Sequence, residues 1–213
     1  MKKETSIIKK IVFFVIALNL ISMNSYSQNK YYSYKDGMFM KSLNLEVEKK
    51  NDECLVYLNM TSMDSYYSEA CGILIREEKL NDLYNNMVFV KNKYIEWTQV
   101  AKENNITELI KPIEIPNQTL VNGFFTTSSM KIDKYTFPSF NFMVSKDSNN
   151  NINYFLGIGI TELEDSENSY TTFDGAMLAF DSTVEFGKLV DKLKPESIKE
   201  FAKDLTDVES LFK

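Results

Sequence analysis

Apolar and polar residues alternate in short runs along this chain, and in two longer runs the apolar positions recur at steps of three and four. Phe39, Leu43, Leu45 and Val47 fall on one face of an extended segment and Asn44 and Glu46 on the other. That is the period of a half-buried strand. Cys54, Val56, Leu58 and Met60 form a second such face, and residues 70–76 a third strand. Leu80, Leu83, Met87, Val90, Tyr94, Trp97 and Ala101 then share one stripe, which predicts a helix over residues 77–104. Within that stripe Trp97 reads as a core anchor.

The second half repeats the alphabet. Residues 109–142 hold short β-like runs, confined to edges or strand ends by Pro112, Pro116 and Pro138. Phe140, Phe142 and Val144 alternate into a strand. Residues 146–151 (KDSNNN) make a turn, and Ile152, Tyr154, Leu156, Ile158 and Ile160 alternate again. An acidic loop over 162–169 leads to a strand at 176–180. Ser182 and Glu185 have the spacing of a capping box, and Pro195 suits the first position of a last helix. Ile198, Phe201, Leu205, Val208 and Phe212 give that helix its apolar stripe. Residues 28–37, polar and rich in tyrosine, read as a loose lead-in.

The order strand, turn, strand, loop, strand, helix thus occurs twice. Leu43, Leu45 and Val47 align with Phe140, Phe142 and Val144 at a shift of 97, and Met60-Thr61 with Ile160-Thr161 at 100. Ser65-Tyr66 and Leu74 align with Ser169-Tyr170 and Leu178 at 104, the shift growing only in loops. The expected fold is α+β: antiparallel sheet with helices on one face, built from two ββ-loop-βα repeats that share one core. Repeat one runs over about 38–104, linker strands over 105–137, and repeat two over 138–213, all in a single domain of residues 28–213. A paired arrangement of this kind is expected to leave a groove along its axis.

The first 27 residues stand apart from that domain. Four lysines precede an eleven-residue apolar run, Ile11 to Ile21, followed by small residues at Ser25 and Ser27. This pattern is that of a cleaved export signal. The run is too short to span a bilayer, which takes about 20 apolar residues. The segment resembles bacterial signal peptides cut just before a glutamine, here Gln28, a resemblance limited to these 27 residues. It implies a periplasmic or secreted protein with no membrane span after cleavage.

Charge and residue usage then exclude whole classes of function. The chain has 24 basic and 30 acidic residues; loss of the signal leaves 20 against 29, a net of −9. Such a chain is repelled by nucleic-acid phosphates and by anionic lipid surfaces. There is no histidine, which removes histidine-based nucleophilic catalysis and histidine-ligated metals. Cys54 and Cys71 are the only cysteines. In an oxidising compartment such a pair reads as a disulfide contributing about 3 kcal/mol.

Individual motifs carry little chemistry. Ser128 and Lys131 match the S-x-x-K of penicillin-binding proteins and serine β-lactamases, but the companion K-T-G is missing and the stretch is β-like. The 147–151 segment starts like a calcium loop without its glycine and its terminal glutamate. Glu162, Glu164, Asp165 and Glu167 are a weak calcium candidate, the ordinary reading being a solvated acidic loop. Gly157 and Gly159 open no helix and form no nucleotide loop. Asp181-Ser182-Thr183 resembles an O-glycosylation acceptor of exported bacterial proteins, although capping already explains Ser182. Tyr66, Tyr67 and Tyr170, with Tyr31, Tyr32 and Tyr34, are candidates for ligand contact, tyrosine offering rigid area with a polar tip.

No catalytic residue and no cofactor follow from the sequence. The expectation is a non-enzymatic exported module that binds a protein, peptide or glycan. The alternative is a carboxylate-based hydrolase such as a glycoside hydrolase, which needs two acids facing one cleft. A further option is oligomerisation through the Leu80–Ala101 stripe.

Overall fold

The computed structural model describes residues 29–50, 52–63, 70–126, 130–132, 135–164 and 172–210. Among them are β1 (Asn29–Lys35), β2 (Ser42–Lys50), β3 (Glu53–Asn59), β4 (Thr61–Ser62) and β5 (Cys71–Arg76). Helix α1 (Glu77–Glu103) follows, then β6 (Leu109–Pro112), β7 (Asn122–Thr126), β8 (Met130–Ile132), β9 (Ser139–Lys146) and β10 (Ile152–Ile160). The chain continues through β11 (Leu163–Glu164), β12 (Thr172–Phe173), β13 (Ala176–Phe180), α2 (Thr183–Lys192) and α3 (Pro195–Ser210). Among the described residues the fold is α+β, with two larger antiparallel sheets and three helices. One sheet has the order β1-β2-β3-β5-β7-β8 and the other β4-β13-β10-β9-β6, and β11 pairs with β12 in a short ribbon.

The alternation read from the sequence sets which faces are buried. Leu45, Val47, Val56, Leu58, Ile73, Ile75 and Phe125 point from the six-stranded sheet into the main core. Phe142, Val144, Leu156, Ile158, Leu178 and Phe180 do so from the five-stranded sheet. The stripe of α1 enters the same core through Leu80, Leu83, Met87, Val90, Tyr94 and Ala101. That helix packs on β3 and β5 of one sheet and on β9 of the other. Its Tyr94 hydroxyl is buried against the carbonyls of Tyr154 and Phe180, each 2.9 Å away, and shares its proton between them. On the opposite face of the six-stranded sheet Leu55, Tyr57, Leu74 and Phe124 form a small separate cluster. There Tyr57 donates to the Glu48 carboxylate at 2.7 Å.

Local chemistry explains most element ends. Ser182 accepts from the Glu185 N–H at 3.3 Å and caps α2, while the Glu185 carboxylate turns outward to Lys188 at 2.7 Å. In the 147–151 turn Asp147 accepts from the N–H groups of Asn149 and Asn151, both at 2.8 Å, so a carboxylate organises the turn. Glycines at the start of the third strand in each half, Gly72 (φ 153°) and Gly175 (φ 105°), let the backbone pass close to the Leu58 and Ile160 carbonyls. Glu77 joins three elements at the start of α1: it accepts from the Cys54 N–H at 3.3 Å and pairs with Lys199 of α3 at 2.9 Å. That cation and the hydrogen bonds hold its carboxyl below the ordinary range.

Asp36 sits where the two sheets meet, with none of its surface exposed. One carboxylate oxygen accepts from the N–H groups of Met38 and Phe39, both at 2.9 Å, and fixes the turn between β1 and β2. The other accepts from the Thr61 hydroxyl at 3.1 Å and the Ala179 N–H at 3.4 Å. Next to it, Gly37 donates to the Ala179 carbonyl at 2.6 Å. The outer edge of β13 is therefore closed by β4 along Ala176 and Met177 and by Asp36-Gly37 at Ala179. A buried carboxylate is tolerated because each oxygen is hydrogen-bonded twice.

The expected α+β class with antiparallel pairing is present, its strands divided between two sheets. Two expectations need correction. The tyrosine-rich lead-in is a strand: β1 pairs along β2, with Tyr34 buried against the Asn44 and Asn59 carbonyls. Cys54 and Cys71 are free and buried, not bonded. Met60, not Cys54, lies opposite Cys71, donating its N–H to the Cys71 carbonyl. Cys54 is six positions further along β3, about 20 Å at strand rise, whereas a disulfide needs α-carbons within about 7 Å. As to the repeat, the element order and strand pairing recur in both halves. The ladders do not follow the residue matches: Val47 faces Val56, but Val144 faces Tyr154, two positions short of what the Met60–Ile160 match requires.

Two outcomes follow. Asp36→Ala leaves buried N–H and hydroxyl donors unpaired and is expected to lower stability by about 2–4 kcal/mol, read from urea unfolding. A loss below about 0.5 kcal/mol would show that the latch is ornamental. Burial pushes the Cys54 thiol up to about 11. Its protonated form is the one the fold favours, so its contribution is intact below the ordinary value of 9 and is lost as pH rises from there to about 11. Both thiols should resist a disulfide reagent at pH 8 in native protein and react fully in denaturant; an unreactive, unreduced, unfolded chain would contradict the free pair.

Candidate functional site

Aromatic side chains from both sheets meet in the main core. Phe125 of β7 stacks on Phe173 of β12 with ring centres 5.2 Å apart. Tyr34 of β1 meets Phe180 of β13 at 6.1 Å, and Phe186 of α2 lies 5.2 Å from Phe180.

An open groove of about 340 Å³ lies elsewhere, between α1 and the edge strand β6. It is lined by Phe89, Lys93, Trp97, Lys111, Pro112, Ile113 and Glu114. Phe89, Lys93 and Trp97 are four residues apart along α1, so they stand one above another on a single line beside the core stripe. The opposite wall is held in place from both ends. Ile113 donates its N–H to the Phe140 carbonyl at 2.8 Å, and Asn86 of α1 donates to the Thr119 hydroxyl at 2.7 Å in a buried pair.

Trp97 is the only tryptophan of the chain. One edge packs against Phe142 of β9, ring centres 6.0 Å apart and planes at 72°. It is thus partly the core anchor that its spacing predicts, but it is only half-buried, unlike its stripe neighbours Tyr94 and Ala101. The Lys111 ammonium stands 4.2 Å from the centre of the indole. Such a cation over an aromatic face contributes about 0.5–1 kcal/mol where water reaches it. Lys93 is held by Glu96 at 2.8 Å. Lys111 has no carboxylate partner among the described residues, so its charge is available to an incoming anion.

The lining sets bounds on the chemistry. Glu114 is its only carboxylate. Glycoside hydrolysis uses two acids about 5–10 Å apart, an arrangement this lining does not provide. Two cations, two aromatic rings and a proline–isoleucine wall suit recognition of an apolar body bearing negative charge.

Of the ligand-contact and calcium candidates picked out from the sequence, those among the described residues do not line this groove. Tyr66, Tyr67 and Tyr170 are outside the described residues. Of the acidic loop, Glu162 is exposed ahead of β11, Glu164 ends that strand, and Asp165 and Glu167 are outside the described residues. Among the described residues no three acids or thiols are grouped to hold a metal ion. Tyr31 and Tyr32 serve packing: Tyr31 meets Phe201 of α3 at 4.8 Å, and Lys192 stands 5.7 Å and 6.0 Å from the two rings. Burial raises the Tyr31 hydroxyl above its ordinary value, opposed by its hydrogen bond with Ser197. Sequence reasoning missed Phe89, Lys93, Lys111 and Glu114. The first two were legible as a half-polar line adjoining the apolar stripe; the others needed the fold to bring β6 alongside α1.

No helix among the described residues is long and apolar enough to cross a membrane. No protein family, curated protein or solved structure matches the chain.

Proposed function

We propose that this chain is an exported, non-enzymatic binding module whose ligand site is the groove between α1 and β6. The observation that carries the reading is the Lys111 ammonium, without a carboxylate partner among the described residues, 4.2 Å from the centre of the sole tryptophan's ring, in a groove with an apolar floor. Lys111 is exposed, so its charge, placed beside the ring, is open to an anion that enters the groove. The apolar walls supply the remaining attraction, at roughly 25 cal/mol for each Å² covered. The ligand class is therefore an apolar or aromatic group with an adjacent negative charge. Export rests on the basic, apolar and small-residue order of the first 27 residues.

Because Trp97 is the only tryptophan, its emission reports this site alone. Iodide is expected to quench it more strongly than caesium, and Lys111→Ala to remove that advantage. Titration with anilinonaphthalene sulfonate, an aromatic anion, should shift Trp97 emission in a saturable manner and weaken about three- to tenfold in Lys111→Ala. Dye binding that leaves Trp97 emission unchanged would place the site elsewhere. Amino-terminal sequencing of protein from its native cells should begin at Gln28; a Met-Lys-Lys start would defeat the export half of the proposal.

A further inference from the structure

Strand β6 ends the five-stranded sheet, and among the described residues nothing pairs with its outer side. Its ladder fixes which backbone groups are free. Ile113 donates to Phe140, and β6 pairs in register as Lys111↔Phe142 and Leu109↔Val144. In an antiparallel ladder the hydrogen-bonded pairs alternate, so residues 109, 111 and 113 turn their backbone groups to β9. Ile110 and Pro112 turn theirs outward. Pro112 lacks an N–H, which costs the inner ladder nothing at an outward position. The free edge therefore offers the Ile110 N–H, the Ile110 carbonyl and the Pro112 carbonyl.

This is a narrow template. A lysine and a proline on so short a strand discourage open-ended pairing between sheets. What remains admits one short segment in one register. A chain segment laid beside β6 would make three backbone hydrogen bonds, two with Ile110 and one with Pro112. Its residue between those two bonding positions would stand opposite Lys111. On that side of the sheet the Lys111 side chain reaches over Trp97, so the incoming side chain points toward Phe89 and Trp97. Ile110 is 75% exposed and offers an apolar contact on the other side of the sheet. Lys111, which has no carboxylate partner among the described residues, favours acidic neighbours in the partner.

Resting on the groove being the binding site, we infer that its ligand is an extended peptide segment. The segment adds to β6 as a further strand and places one apolar or aromatic side chain, flanked by acidic residues, against Trp97. Main-chain bonds supply affinity and the pocket supplies selectivity, as in other cases of strand addition.

The test uses a blocked peptide of sequence Asp-Val-Phe-Val-Asp and the same peptide N-methylated at both valines, each titrated against the full chain by Trp97 emission. The unmodified peptide should saturate and the N-methylated one should bind about tenfold or more weakly, as the loss of backbone bonds implies. Ile110→Pro removes the outward N–H without touching the β9 ladder. It should weaken the peptide about tenfold while leaving anilinonaphthalene sulfonate binding within about twofold; Ile110→Ala should keep most of the peptide affinity. Equal binding of the N-methylated and plain peptides would overturn strand addition, as would undiminished peptide binding by Ile110→Pro. Dye binding without any peptide binding would overturn this inference and leave the groove reading standing. Absence of both would sink the two together.

Discussion

The two sheets are joined at one edge, and that junction turns on a buried carboxylate. Strand β13 pairs with β10 on one side; on the other, among the described residues, it is hydrogen-bonded to β4 and to the turn that begins with Asp36. Asp36 satisfies two N–H groups of its own turn and also reaches Thr61 and Ala179. A negative charge is not stable in such a place unless it is fully coordinated, so the positions of β1, β4 and β13 are mutually dependent. Tyr94 applies the same logic from the helical side: a buried hydroxyl finds acceptors only where two strand-end carbonyls converge. Between these two polar anchors lies the aromatic part of the core.

Strong periodicity was legible where one face of an element is buried and the other is wet. The α1 stripe and the β9 alternation fall in that class; β3 and β10 alternate in sequence although neither presents an exposed face, and Pro195 and the Asp147 turn were legible from local chemistry. Strand β1 was not legible because its polar tyrosines and lysines lack an apolar alternation. Tyr34 is buried there because its hydroxyl reaches two backbone carbonyls, a long-range arrangement that local pattern does not encode. The cysteine pair misled for a different reason. Composition and compartment address whether two thiols could be oxidised, while the antiparallel register of β3 and β5 decides whether they meet. The candidate site was half legible: Trp97 was correctly placed on the stripe, but its partner Lys111 is brought to it by the β6–β9 ladder.

Recognition in this chain, on the reading proposed here, is separated from the structural junction. The groove uses the outer flank of α1 and the β6 end of the five-stranded sheet, whereas the Asp36 junction lies beside β13, three ladders away. A ligand at β6 would then bear on a sheet whose far edge is held by charge and hydrogen bonds. Substitutions at the two places should act independently, since distant sites that share no partner generally add.

The Asp36–Ala179 bond spans 143 positions of the chain. Closing a loop of that length is a late event, since contacts far apart in sequence form slowly. A nascent chain can pair β1 with β2 and β2 with β3, but its 36–41 turn has no seat until β13 has emerged and joined β10. In that interval β13 displays an unguarded flank to any neighbouring molecule whose own turn is still unseated. Exchange of these hairpins between two copies would reproduce every hydrogen bond of the junction, so crowding during refolding should favour interlocked dimers built from native contacts.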